Sequence, residues 1–406
     1  MSRLNDLIAR LCPNGVPYKA LAEIAAKVSN VRWQDNGGEA FQYIDLSSVD
    51  RVARKIGETA TITAGAAPSR AQQIVRAGDV IFATTRPTQM RWAVIPEAHD
   101  GQIASTGYCV LRPESREVLT DFLAHLLGAE AFRKYVEEKQ VPGNYPSIPD
   151  KVVRAFRIPV PPMVIQLEIA RVLGKMEMLR AELEAELEYR SLQYAHYRDA
   201  LLSASGGVKQ VVFGEVATIL RGASPRPIQA FLTDASDGVN WIKIGDVPAG
   251  GKYIVRTAEK IRPEGVGKSR MVHRGDFVLS NSMSFGRPYI VQMDGCIHDG
   301  WLAIKDFEST FVPDFLYHIL RSSPLRRQME QKASNGTVQN LNIELVKSLV
   351  LSAPPIVEQQ RIAGLLDRFE ALTNDVSVGL PAELVARRKQ YEHYRDRLLT
   401  FEEAPS

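Results

Sequence analysis

Residues 161–202 read PPMVIQLEIARVLGKMEMLRAELEAELEYRSLQYAHYRDALL. Apolar residues recur at Ile165, Ile169, Val172, Met176, Leu179, Leu183 and Leu187, and steps of three and four place them on one helix face. Pro161 and Pro162 precede the run and Gly206 and Gly207 follow it. A missing N–H is tolerated at a helix start. Ala, Glu, Leu and Arg are strong helix formers. The pattern therefore predicts one helix of about 40 residues and roughly 60 Å, at about 1.5 Å per residue. An apolar face of that length needs a partner.

The partner lies in the same chain. Residues 354–401 begin PPIVEQQRIAGLLDRFEALTN and end QYEHYRDRLLTF. Pro161-Pro162, Gln166 and Ile169-Ala170 match Pro354-Pro355, Gln359 and Ile362-Ala363, an offset of 354 − 161 = 193. His196-Tyr197-Arg198-Asp199 matches His393-Tyr394-Arg395-Asp396, an offset of 393 − 196 = 197. The second copy thus carries 197 − 193 = 4 extra residues, about one turn. Gly379 and Pro381 fall in that interval, so a break is expected near 379–381. Two such helices most simply pack antiparallel along their seams.

The repeat extends upstream. Asp121-Phe122-Leu123 with His125 matches Asp314-Phe315-Leu316 with His318, and Gly78-Asp79 before an apolar run matches Gly275-Asp276. The expected fold is α+β, with two similar mixed α/β domains separated by two long antiparallel coiled-coil-like helices in a pseudo-twofold repeat. The boundaries are a first domain at 1–160, a central helix at 161–205, a second domain at 206–353 and a C-terminal helix at 354–406. Within the domains, Phe41–Val49, Val239–Val247, Val80–Ala83, Phe277–Ser280, Ile103–Leu111 and Ile297–Ile304 read as strands. Asp121–Lys139 and Asp314–Lys332 read as single amphipathic helices.

Bulk properties narrow the class. The 406 residues carry a net charge of only +3, so any nucleic-acid contact must come from local patches. By segment, residues 1–150 hold 17 basic and 17 acidic side chains, and residues 206–354 hold 18 and 14. Cys12, Cys109 and Cys296 are scattered without a CxxC, which argues for a reducing compartment and against disulfides or zinc. No apolar run approaches the 18 or so residues of a membrane span. The opening MSRLNDLIARLCPNG is not a secretory signal. A cytoplasmic protein is expected.

Several chemical motifs fail on inspection. Gly265 to Ser269 ends like a phosphate-binding loop but has Arg262 where the first glycine belongs. Asp314, Glu330 and Lys332, echoed by Asp121, Glu137 and Lys139, outline a metal-dependent nuclease. Residues about sixteen apart on one straight helix, however, stand roughly 24 Å apart. No Ser-His-Asp set, zinc spacing, cofactor loop or amino-methyltransferase tetrad is present, so no catalytic, cofactor or metal residue is assigned. The loops after the Gly-Asp strands differ most between the halves. They hold Thr84, Thr85, Arg86, Gln89 and Arg91 in the first and Ser280, Asn281, Ser282, Ser284 and Arg287 in the second. Arg suits guanine, Asn and Gln suit adenine, and hydroxyls suit base edges or phosphates. These ten are the DNA-binding candidates. His196, Tyr197, Arg198, His393, Tyr394 and Arg395 are candidates for helix pairing or for docking another subunit.

The duplicated PP-x-x-x-Q-x-x-I helix starts, the Gly-Asp strands, NGTVQNLN at 335–342 and the opening LIARLCPNGVPYKALAEIA together resemble the specificity subunit of type I restriction–modification enzymes. The first half departs from that pattern, with GNYPSIP at 143–149 where the second has GTVQNLN. The resemblance implies a non-catalytic subunit that binds double-stranded DNA at a bipartite site with a spacer. It further implies two methyltransferase subunits carrying S-adenosylmethionine, and restriction subunits as further partners. The alternatives are a self-contained nuclease or methyltransferase with a duplicated domain, and a structural adaptor that binds no DNA.

The central helix also carries a ruler-like feature. Residues 181–188 are a tandem AELE repeat. A third AELE after Glu188 keeps the apolar face nearly in phase and adds about 6 Å. That is close to two base pairs at about 3.4 Å each. Methylation mapping of cells carrying the insertion should show a spacer longer by one or two base pairs and unchanged half-sites. An active enzyme with the parental spacer would refute the ruler.

Overall fold

Val80–Ala83 is buried at all four positions, which a strand achieves only between two apolar layers. Val80 and Phe82 face a helical core, whereas Ile81 and Ala83 face a second sheet. The second half repeats the arrangement, with Phe277 and Leu279 on one side of their strand and Val278 on the other. The Gly-Asp pair ahead of each strand has a physical cause. Gly78 and Gly275 sit at φ of +86° and +100°, open to glycine at no steric penalty. Asp79 then accepts the Arg76 N–H at 2.8 Å and pairs bidentately with Arg112 at 2.7 and 2.8 Å. Asp276 accepts the His273 N–H at 2.7 Å and pairs with Lys305 at 3.2 Å.

This computed structural model describes residues 2–36, 38–114, 116–203, 208–247, 251–281, 286–333, 341–374 and 379–405. They form two compact units, one of Met1–Glu182 with Val385–Ser406 and the other of Leu183–Leu384. Each unit therefore joins the beginning of one long helix to the end of the other, the grouping that antiparallel helices require.

In the first unit, one antiparallel sheet runs Ala25–Ala26, Tyr108–Pro113, Val80–Ala83, Trp92–Val94. The other runs Ala60–Ile62, Phe41–Ile44, Ile103–Ser105, Ala71–Ile74, with a parallel central pair. In the second unit, the corresponding sheets are five-stranded. One runs Thr218–Arg221, Trp301–Lys305, Phe277–Ser280, Pro288–Val291, Tyr253–Ile254. The other is centred on Val239–Ile242 parallel to Gly295–Ile297.

Three expectations are corrected. Phe41–Val49 and Val239–Val247 stop being strand after Ile44 and Ile242, where a single 3-10 turn follows. Ile103–Leu111 is two strands in different sheets, joined by a turn at Thr106-Gly107, and Ile297–Ile304 divides in the same way. Each predicted domain helix is a pair: Thr120–Leu127 with Glu130–Lys139, and Pro313–Leu320 with Ser323–Ala333. The premise of one straight helix for the nuclease-like acids is thus wrong.

The central helix is continuous from Met163 to Ser203. Its C-terminal counterpart runs Ile356–Asn374 and Gly379–Leu398. Pro381 lies in the first turn of the latter, where it forfeits no helical bond. The apolar face of the central helix is closed at Ile165 and Ile169, but Leu179 remains 49% exposed.

One buried amide anchors each long helix. Gln166 Oε1 accepts the Leu119 N–H at 3.0 Å, and its Nε2 donates to the carbonyls of Glu117 and Pro161, both at 2.8 Å. Gln359 repeats the set with Val312 at 2.9 Å, Thr310 at 2.9 Å and Pro354 at 2.8 Å. Both side chains are fully buried. This is the physical content of the PP-x-x-x-Q motif: the glutamine fastens the helix start to the turn that precedes the domain's helical pair. Gln359→Ala leaves buried partners without bonds and should cost about 2–4 kcal/mol. Gln166→Ala should cost a comparable amount. Urea denaturation midpoints unmoved in both variants would refute this anchoring role.

Candidate nucleic-acid interface

After Val80–Ala83, the chain makes a strained turn. Arg86 and Met90, at φ of +50° and +49°, bracket the 3-10 turn Pro87–Gln89. Left-handed backbone at a non-glycine residue costs of order 1–3 kcal/mol and persists only where surroundings impose it. Here the surroundings are residues 141–148. The Arg86 N–H donates to the Pro146 carbonyl at 2.7 Å, Thr85 bridges Ser147, and the Ile148 N–H donates to the Thr84 carbonyl at 2.9 Å. The result is a concavity of about 480 Å³, where Thr85, Arg86, Gln89 and Arg91 meet Arg70 and Tyr145.

Four of the first-loop candidates therefore share one site. Thr84 does not join them: it is buried, and its hydroxyl donates to the Gly107 carbonyl at 2.9 Å. Arg91 lines the concavity while its guanidinium donates to the Leu46 carbonyl. Among the described residues, none of Arg70, Arg86 and Arg91 forms an ion pair. Arg86 lies over the Tyr145 ring, 5.2 Å from its centroid. Arg70 and Tyr145 were absent from the sequence candidates. Tyr145 lies in the 143–149 segment already marked as unlike its counterpart, whereas nothing local distinguishes Arg70.

In the second domain, Ser282 and Ser284 lie outside the described residues, as does most of 335–342. Ser280 and Asn281 are buried. Ser280 Oγ accepts the Arg287 N–H at 3.1 Å, and Asn281 donates to the Asp299 carbonyl at 3.0 Å. Both hold the loop's frame, so they are corrected from readers to supports, as Thr84 is. Arg287 is exposed.

The His-Tyr-Arg-Asp clusters divide in two. Arg198 and Arg395 are each only 7% exposed, so they turn inward rather than forming an outward docking surface. Each pairs with its neighbouring aspartate and stacks on a tyrosine four residues earlier, Tyr194 or Tyr391. Those aspartates cap the second helix of each domain pair: Asp199 accepts the Ser323 N–H and Asp396 the Glu130 N–H, both at 3.1 Å. His196, Tyr197 and His393 are exposed, and Tyr394 is half-buried.

The tyrosines close a clasp in each unit. Tyr391 donates its single hydroxyl proton to Glu177 at 2.6 Å. The 3.1 Å contact with His125 Nδ1 is then a bond from the imidazole N–H to the phenol oxygen. In the second unit, His318 Nε2 is 2.9 Å from Asp367 and its Nδ1 is 3.1 Å from the Tyr194 hydroxyl. His318 donates to the Asp367 carboxylate, so here the imidazole rather than the phenol meets the acid. The acid it meets is specific to this repeat, since Asp367 stands where the first has Gly174. Burial pushes the phenols of Tyr194 and Tyr391 well above their ordinary pKa.

Metal chemistry finds little support here. Among the described residues, one group of three metal-ligating side chains, His318, Asp367 and Glu370, brings its ligand atoms within 4.8 Å of one another. Lys252 already sits 2.7 Å from Asp367, and Arg321 pairs with Glu370. The nuclease-like acids have other partners: Asp314 binds Lys252 at 2.6 Å, Glu330 binds Arg326 at 2.9 Å, and Glu137 binds Arg133.

The family model described as the type I restriction modification DNA specificity domain matches residues 27–189 and 206–386. Over 272 residues the chain is 30% identical to the specificity subunit of the type I restriction enzymes EcoR124I and EcoR124II of Escherichia coli, covering 65% of this chain and 64% of that one. A putative type I restriction enzyme specificity subunit of Haemophilus influenzae is 31% identical over 254 residues, 60% of this chain and 63% of that one. The match thus spans just under two thirds of each relative. A solved structure from work on complex assembly and conformational transition of the type I R-M system aligns at a TM-score of 0.69 and 24% identity, over 95% of this chain and 98% of that one. The HsdS subunit from Thermoanaerobacter tengcongensis aligns at 0.50 and 24%, over 96% and 97%. These two likenesses show a shared fold.

The first clasp makes stability depend on pH. Burial holds His125 below its ordinary pKa of 6.5. Its neutral form is favoured in the fold, so the contribution is complete above about pH 6.5 and declines as pH falls towards the depressed value. His125→Asn should lower stability at pH 7.5 and flatten the loss between pH 6.5 and 5. The flattening is bounded by one proton, about 1.4 kcal/mol per pH unit. Urea titrations at a series of pH values measure it, and identical slopes in both proteins would exclude His125 as the source.

Proposed function

This chain belongs to the type I restriction modification DNA specificity family, and from that premise we propose that it is the non-catalytic subunit that selects the DNA site for a methyltransferase and restriction complex. Each mixed α/β domain reads one half of a bipartite duplex site, and the long helices carry the assembly. The observation that supports this best is the strained, arginine-lined concavity of the first domain, with no carboxylate paired to its cations among the described residues. Its position corresponds to the loops that differ most between two otherwise equivalent scaffolds. A duplicated frame with unlike loops suits one task performed on two targets.

The remaining roles follow from that assignment. Exposed His196, Tyr197 and His393, with Tyr394 beside them, are offered to two methyltransferase subunits, which supply S-adenosylmethionine and transfer the methyl group to adenine. Two motor-nuclease subunits add restriction. This chain itself contributes no cofactor site, and the complex works in the cytoplasm.

Gel shifts on genomic fragments, with and without the methyltransferase subunits, test DNA recognition directly. Purified chain alone, given S-adenosylmethionine or Mg²⁺, should neither methylate nor cut DNA. Exchanging residues 1–150 for the same region of a related subunit should change one half-site in methylation maps and leave the other unchanged. Simultaneous change of both would mean that the domains read one continuous site.

A further inference from the structure

We propose that the concavity of the first domain is a guanine-reading pocket in which Arg86, backed by Tyr145, contacts the N7 and O6 edge, while Arg70 holds an adjacent phosphate. This deepens the DNA-recognition reading and rests on it.

The charge arrangement comes first. Arg70, Arg86 and Arg91 border one concavity without an ion-paired carboxylate among the described residues. The site therefore favours a ligand rich in acceptors. Its volume of about 480 Å³ exceeds what one phosphate oxygen cluster needs and admits the edge of a base. Guanine presents two adjacent acceptors in the major groove, the pattern that the planar fork of arginine matches bidentately.

The three guanidiniums are not equivalent. Arg91 is held by the Leu46 carbonyl and forms part of the wall. Arg70 is exposed, on the turn that leads into the strand Ala71–Ile74. Arg86 is positioned from two directions. Its left-handed backbone is imposed through its N–H bond to Pro146, and its guanidinium rests over the Tyr145 ring. Stacking uses the face of the guanidinium and leaves its N–H edge for hydrogen bonds in the plane. Tyr145 is 72% exposed although it is a large aromatic. Both Tyr145 and Pro146 come from one segment, so residues 141–148 set the backbone and the side chain of the reader together. A reader held in place before binding loses less freedom on contact.

The test uses the full chain reconstituted with methyltransferase subunits, on duplexes carrying the half-sites found by methylation mapping. The first half-site should contain a guanine whose replacement weakens wild-type binding between about five- and a hundredfold, the range for one bidentate pair. Arg86→Ala should abolish that discrimination and leave the second half-site intact. Arg86→Lys, which keeps the charge, should also lose it. Tyr145→Ala should reduce it severalfold, whereas Tyr145→Phe should retain it. Replacing that guanine by 7-deazaguanine should weaken wild type and leave Arg86→Ala unaffected. Arg70→Ala should weaken all duplexes alike and reduce the salt dependence.

If Arg86→Ala weakens every sequence equally, Arg86 contacts phosphate and the proposal falls. It also falls if Arg86→Lys keeps full discrimination, or if the first half-site holds no guanine that is read. Specific binding by wild type with no change in the variants would overturn the pocket and spare the DNA-recognition reading. Absence of any specific binding by the wild-type complex would overturn both.

Discussion

A long helix that leaves a globular domain must satisfy two demands at one point. Its first turn has backbone groups without helical partners, and its start must be fixed to the domain that supports it. Gln166 and Gln359 meet the second demand from the buried face of the first helical turn. Each amide spends its acceptor on the N–H just ahead of the domain's helical pair and its donors on two carbonyls. Away from water, such a set holds strictly, because every lost bond leaves a dry polar group behind. Tyr194, Asp199, Tyr391 and Asp396 ride on the long helices. Their clasps and caps depend on where those helices begin.

Much of the architecture was legible because it repeats and because it is periodic. The helix faces, the Gly-Asp turns and the offset near 193 all have local chemical causes that survive duplication. The breaks were less legible. Nothing near Gly128 forbids a continuing helix as proline would, and that division comes from packing, whereas Pro324 cannot sit inside a continuous helix and falls in the first turn of the second segment instead. Ile103–Leu111 contains enough apolar residues for one long strand, but the turn at Thr106-Gly107 sends its halves to different layers. At the candidate interface, hydroxyl and amide residues looked alike in sequence. The fold separates them: Thr84, Ser280 and Asn281 are used up by internal bonds, while Thr85, Arg86 and Gln89 border the open concavity. Tyr145 joins them across about 60 residues of chain, a distance that no local spacing encodes.

The repeats also show how one design accepts different chemistry. In both units a histidine of the domain, a tyrosine of one long helix and a carboxylate of the other meet. The order along this row differs: the tyrosine stands between histidine and carboxylate in His125, Tyr391 and Glu177, and the histidine stands between tyrosine and carboxylate in Tyr194, His318 and Asp367. Arg54 and Lys252 bring positive charge to equivalent places, 198 residues apart. Burial lowers the pKa of Arg54. It acts in the same direction on Lys252, but the bonds to Asp314 and Asp367 outweigh it and leave that ammonium harder to deprotonate. The three kinds of side chain are retained while the order in which they meet follows the acids available.

The pairing of distant segments bears on how the chain acquires its structure during synthesis. Val16 donates its N–H to Glu402 and accepts that of Ala404, each at 2.9 Å, and the Tyr18 hydroxyl donates to the Phe401 carbonyl at 3.0 Å. The second unit is a continuous span, whereas the first is finished by residues near 400. A ribosome delivers about 5–20 residues per second, so the amino-terminal unit waits some tens of seconds for its final pieces. The portion translated first is the portion completed last, and the later-born unit can close ahead of it.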